Sequence, residues 1–69
     1  MNENQEIVLN YLKKQFEDYG SYPIDLLVEF DYDCVYECLD KGIIKAYKSL
    51  TYKQEFEVLA AFAEWGLKQ

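Results

Sequence analysis

Apolar residues recur along the first part of the chain at spacings of three and four: Ile7, Val8, Tyr11, Leu12, Phe16 and Tyr19, with Glu3, Glu6, Lys13, Lys14, Glu17 and Asp18 mostly on the other side. That spacing returns to one side of a 3.6-residue helix and predicts an amphipathic helix over 4–19. Asn2 or Asn4 would cap its amides, and Gly20 would end it by taking a left-handed conformation. Ser21-Tyr22-Pro23 is a second start signal, with Ser21 as N-cap and Pro23 in the first turn, where a missing N–H costs nothing. A short helix follows, with Ile24, Leu27 and Val28 as its apolar stripe and Leu26 and Phe30 widening it. Asp31-Tyr32-Asp33 interrupts the run and predicts a break, after which Val35, Cys38 and Leu39 give a third helix its stripe. Lys41-Gly42-Ile43 reads as the stop of that helix.

From Ile43 to Leu50 the helical period is lost, and Ile44 and Ala46 alternate with Lys45 and Tyr47, which predicts a short extended segment. Thr51 with Gln54 three residues on forms a capping box and opens the last helix. Tyr52, Phe56, Leu59, Ala60, Ala63 and Leu67 line one side of it, and Val58, Phe62 and Trp65 form a second stripe. So broad an apolar arc means either a nearly buried central helix or self-association, with Val58, Phe62 and Trp65 as the homodimer contact. The whole pattern predicts a mostly α, compact four-helix domain spanning residues 1–69 as one unit, with at most a short extended segment near residues 43–48.

Composition sharpens the picture. In 69 residues there is no His, and Cys34 and Cys38 are the only cysteines, so neither a disulfide framework nor an ordinary zinc site is available. The two cysteines are expected to pack in the core or at its boundary, where free thiols are usually found. Counted from Asp31, a calcium loop would need Gly at the sixth position and Glu at the twelfth; Tyr36 and Gly42 stand there. Without His and with only two Ser and one Thr, the chain offers no evident pairing of nucleophile and base, and so is read as non-enzymatic and without a cofactor. The N-terminus has no basic region followed by an apolar run, and no stretch reaches the length of a membrane span, so a cytoplasmic location without membrane contact is expected.

Net charge is -6, and all seven basic residues are Lys. Such a chain is repelled by phosphate backbones and lacks arginine, the main reader of guanine. Asp25, Glu29, Asp31, Asp33, Glu37 and Asp40 lie in a stretch without any Lys, beside Tyr22, Tyr32 and Tyr36. On helices several of these stack one turn apart, so Asp25, Glu29, Tyr32, Asp33, Tyr36, Glu37 and Asp40 are the candidate contacts for a basic protein partner, acids steering and tyrosines providing rigid area. Lys41, Lys45, Lys48 and Lys53 form the one basic cluster and are the candidate phosphate contacts of the alternative, a nucleic-acid-binding protein.

Laid out as helix, short helix, tight turn, helix, extended segment and helix, the chain resembles a winged helix-turn-helix domain. The residues that carry the likeness are Ile24-Asp25-Leu26-Leu27-Val28 as supporting helix, Val35 to Leu39 as recognition helix, Leu39-Asp40-Lys41-Gly42-Ile43-Ile44 as the exit into the wing, and Leu50-Thr51 before the last helix. The resemblance implies a DNA-binding transcriptional regulator. The exposed positions at and beside that helix include Asp33, Tyr36, Glu37 and Asp40, three acids and a tyrosine where DNA-binding members present basic and polar side chains. The expected function is therefore a small interaction or regulatory domain, such as an accessory regulator or a charge-mimicking inhibitor of bacterial or phage origin. A structural oligomer subunit is the third expectation.

Overall fold

A computed structural model describes residues 1–20 and 22–69. Four helices follow one another: α1 (Glu3–Tyr19), α2 (Pro23–Val35), α3 (Lys41–Lys48) and α4 (Tyr52–Leu67). No strand occurs among the described residues.

The first and last helices start as expected. The Gln5 amide donates to Asn2 Oδ1 and the Asn2 amide to Gln5 Oε1, both at 2.9 Å, so each side chain satisfies a backbone group the helix leaves open. Thr51 and Gln54 make the same reciprocal pair at the start of α4, at 3.2 and 3.0 Å. Gly20 ends α1 at φ 62°, its amide donating to the Phe16 carbonyl at 2.8 Å. Ser21, the expected cap of the next helix, lies outside the described residues. Tyr22 occupies the N-cap position and makes no side-chain cap bond.

The middle of the chain departs from expectation. α2 does not break at Asp31-Tyr32-Asp33 but runs on to Val35. Phe30 and Cys34 are buried on either side of the acidic triplet, and Asp31 accepts a hydrogen bond from Tyr47 Oη at 3.0 Å, which together outweigh the modest helix penalty of two aspartates. The inward stripe is Leu26, Phe30 and Cys34, with Leu27 half-buried. Ile24 and Val28, expected inside, are 76% and 64% exposed, and Val35 is exposed too.

The helix expected over 35–39 is absent. α2 closes with the Cys38 amide donating to the Asp33 carbonyl at 2.8 Å and the Glu37 amide to the Cys34 carbonyl at 3.3 Å, the paired closing bonds of a Schellman turn. Glu37 takes the left-handed position that glycine usually fills, at φ 55°. Lys41-Gly42-Ile43 then starts a helix instead of stopping one. Asp40 is its cap, Oδ2 accepting from the Gly42 amide at 3.0 Å. A Cβ on Gly42 would sit 3.0 Å from that oxygen, so glycine lets the carboxylate close in. Residues 43–48 are thus helical, and the extended segment and wing assigned to them are not formed.

α1 is the centre of the packing. Its backbone lies against α4, α3 and α2, and Val8, Leu9 and Leu12 meet Leu26, Phe30 and Cys34 of α2, Ile44 and Ala46 of α3, and Val58 and Phe62 of α4. Aromatic rings close the edges: Phe30 sits between Tyr11 and Tyr47 at centroid distances of 5.4 and 4.9 Å, and Trp65 meets Phe62 and Phe16 at 5.9 and 5.8 Å. Val58, Phe62 and Trp65, assigned to a homodimer contact, therefore face inward, with Val58 and Phe62 fully in the core. The side of α4 expected inside faces out instead, with Tyr52, Phe56 and Leu67 exposed by 79%, 66% and 88%.

Candidate functional site

α2 is apolar on two sides. Turning 100° per residue from the buried line Leu26-Phe30-Cys34, the helix presents Asp25, Glu29 and Asp33 on one flank. Ile24, Val28 and Val35 lie on the other flank with Asp31 at their edge, Tyr32 stands between the two, and Tyr36, at the C-cap, falls in line with the acids. The two tyrosine rings lie 4.5 Å apart, tilted by 39°. Every one of these side chains is exposed except Asp33, which is half-buried. An acidic ridge therefore runs beside an apolar one for three turns, with no basic residue on the helix to neutralise it.

Beneath the acidic ridge, α1 and α2 leave a cleft of about 60 Å³ lined by Tyr11, Gln15, Tyr19, Glu29 and Asp33, with Leu26 and Phe30 as its apolar wall. A water needs about 10–15 Å³ of such space, so the cleft admits a group the size of an ammonium ion. Its polarity suits one: two carboxylates and two phenols converge there. Burial pushes the Tyr11 phenol above its ordinary pKa and the neighbouring Asp33 pushes the same way, a sign of negative potential in the cleft. A wider, open groove of about 420 Å³ continues along Gly20, Tyr22, Asp25, Val28 and Glu29.

Of the candidate partner contacts, Asp25, Glu29, Tyr32, Asp33 and Tyr36 are thus brought onto one helix. Glu37 stands apart in the turn after it, and Asp40 is occupied in capping α3. Tyr11, Gln15 and Tyr19 were not foreseen as part of the cleft. Their i, i+4, i+8 spacing, with a polar residue inside an otherwise apolar stripe, was the available signal; Tyr19, read as core, is exposed.

Lys41, Lys45 and Lys48 share the outer side of α3, opposite Ile44 and Ala46, while Lys53 lies in the first turn of α4. Cys34 is buried, which raises its thiol pKa, and Asp31 and Asp33 raise it further, so it is a poor nucleophile. Cys38, expected in the core or at its boundary, is exposed because the helix that would have turned it inward does not form. Among the described residues no three His, Cys, Asp or Glu side chains converge as a metal site, and no helix is long and apolar enough to cross a membrane. Comparison with protein-family models, curated proteins and solved structures finds no match to this chain.

On the opposite flank of α2 from the acidic ridge, Asp31 ties the helix to α3 through Tyr47. Burial, reinforced by the hydrogen bond to Asp31, pushes the Tyr47 phenol up to about 12. The folded state therefore holds the phenolic proton more tightly than the unfolded chain, whose tyrosine titrates near about 10. The stability this contributes is fully present below about pH 10 and is lost as pH rises toward about 12. Urea midpoints measured from pH 8 to 12 are expected to fall in that window. In Tyr47→Phe the fall should be shallower, with a lower plateau at neutral pH; an unchanged alkaline slope would remove Tyr47 as its source.

Proposed function

We propose that this chain is a non-enzymatic interaction domain that binds a basic, amphipathic segment of a protein partner along the outer side of α2. The observation that carries the proposal is the pairing on one helix of an unneutralised acidic ridge with an exposed apolar one. An apolar ridge alone would suit any hydrophobic partner, and an acidic ridge alone is ordinary solvated surface. Side by side, they match a segment with Lys or Arg along one edge and Leu, Ile or Phe along the other. Ile24, Val28 and Val35 would cover the apolar edge, and Tyr32 and Tyr36 would add rigid contact area. Glu29 and Asp33 would receive a cationic side chain over the cleft against Tyr11 and Tyr19. The net charge of -6 would speed the encounter. Such a domain would act as an accessory regulator, or as an inhibitor that occupies a surface its partner uses for nucleic acid.

The test is binding of a synthetic amphipathic Lys/Leu helix by wild-type protein, Asp25→Lys/Glu29→Lys and Glu37→Lys, followed by fluorescence anisotropy at two salt concentrations. The double variant should lose about 100-fold or more in affinity with an unchanged circular dichroism spectrum, since like charges placed across an interface cost several kcal/mol. Glu37→Lys, off the ridge, should lose only what the change in net charge predicts. Equal binding by the wild type and the double variant would sink the proposal.

A second reading is favoured by one observation, the alignment of Lys41, Lys45 and Lys48 along α3. It makes the chain a DNA-binding regulator contacting phosphates through these residues and Lys53, without the recognition helix and wing of the winged-helix resemblance, which are not formed. Retardation of duplex DNA that collapses steeply with salt would support it, and no retardation at micromolar protein and low salt would exclude it.

A further inference from the structure

The outward side of α4 carries Tyr52, Phe56, Leu59, Ala63 and Gly66, spaced four, three, four and three residues apart. That is the spacing of a helix seam that meets a second helix. It stands about a quarter turn from Val58 and Phe62, which face the core; Leu59 and Gly66 border a groove against α1 and α2, while Tyr52, Phe56 and Ala63 stay exposed. The seam opens at its C-terminal half into a groove of about 490 Å³ lined by Phe16, Pro23, Leu27, Ala63, Gly66 and Leu67. A side chain added at Gly66 would meet nothing within 4 Å, so the space above it is open.

We propose that two copies of the chain pair through α4, antiparallel about a two-fold axis that passes between Leu59 and Ala60. Three observations choose this occupant and this direction. The first is size. The N-terminal half of the seam is bulky and the C-terminal half is small, so an antiparallel partner lays Phe56 over the other copy's Ala63 and Tyr52 over its groove beside Leu67. A parallel partner would stack aromatic on aromatic and leave the small end empty. The second is charge. A two-fold axis of this kind brings like flanks together with their ends exchanged, which sets Lys53 of each copy beside Glu64 of the other. Glu64 pairs with Lys68 at 3.3 Å, both side chains largely exposed, so its carboxylate has room to accept both.

The third is area. Exposed aromatic side chains present roughly 150–250 Å² each, and the exposed parts of Tyr52, Phe56, Leu59 and Leu67 come to about 500 Å² per chain. The pair would bury about 1,000 Å², where specific interfaces begin, and would be a weak, concentration-dependent dimer.

Sedimentation equilibrium over a hundredfold range of concentration should show a mass rising from the 8.2 kDa of one chain toward twice that value. Phe56→Ala, an exposed position whose loss leaves the core intact, should weaken the dimer at least tenfold. Exchanging knob and hole in Phe56→Ala/Ala63→Phe should restore it, because only the antiparallel pairing sets position 56 against position 63. Lys53→Glu should weaken it, and Lys53→Glu/Glu64→Lys should recover the loss. A monomer at every concentration would overturn the proposal. A dimer indifferent to Phe56→Ala, or one that the exchange does not rescue, would overturn it too. So would a native monomer that takes up a fatty acid from solution, which would give the groove to a small apolar ligand.

Discussion

Phe30→Ala is expected to leave much of the protein unfolded at room temperature. Phe30 is buried at the junction of three helices, its ring 5.4 Å from that of Tyr11 on α1 and 4.9 Å from that of Tyr47 on α3. Truncating a buried Phe to Ala costs about 3–5 kcal/mol through lost transfer energy and the cavity left behind. At about 0.05–0.15 kcal/mol per residue, a 69-residue domain has about 3–10 kcal/mol in total. One side chain thus accounts for about a third of the stability or more. Urea melts followed by circular dichroism would measure the loss. Phe30→Leu, which keeps most of the volume, should retain a cooperative transition. A loss below about 1 kcal/mol in Phe30→Ala would mean that α2 is not docked through this residue.

Substituting Gln5 should have the next largest effect. Gln5 is the one buried polar side chain among the described residues. Its Oε1 accepts from the Asn2 amide, while its Nε2 donates to the Gln54 carbonyl at 3.2 Å and to Glu57 Oε1 at 2.8 Å, tying the start of α1 to the first half of α4. Gln5→Leu would lose the capping box and a charge-assisted hydrogen bond, about 2–3 kcal/mol. Gln5→Glu keeps the shape but sets a second carboxylate beside Glu57, and should be worse than Leu at neutral pH. Two adjacent carboxylates hold a proton more tightly when folded, raising the folded pKa. Stability of Gln5→Glu should therefore recover as pH falls below about 5, a trend Gln5→Leu should not share. Urea midpoints at pH 4 and 7 for both variants would decide it. Parallel pH dependence of the two would show that Gln5 does not face Glu57.

How far such features could be read from residues alone depends on whether a local signal had a competitor. The bounds of α1 and α4 were legible because a capping residue stands at each start, α1 has one apolar period, and Gly20 has no alternative role. α2 was not, because Ile24-Val28-Val35 and Leu26-Phe30-Cys34 are both valid helical stripes, and periodicity cannot say which one finds α1. The same ambiguity hid the orientation of α4, where Val58-Phe62-Trp65 and Tyr52-Phe56-Leu59 compete. Asp31 looked like a breaker because its partner, Tyr47, is sixteen residues away in the chain. Gly42 looked like a stop because glycine serves both after a helix and beneath a capping carboxylate. The acids of the candidate site were visible as a charge run, but the apolar ridge beside them became a surface feature only when α2's inward side was known.

The placement of α1 at the centre bears on how the chain reaches its fold. The other three helices lean chiefly on α1, and α4, its most extensive neighbour, is the last element along the chain. During synthesis α1 is made first and must wait for α4 before Val8 and Leu12 are fully covered, so a stretch of apolar surface stays open until nearly the whole domain has left the ribosome. A nascent chain halted before Tyr52 would present that surface to chaperones and proteases, and the step that ends this exposure is the docking of α4.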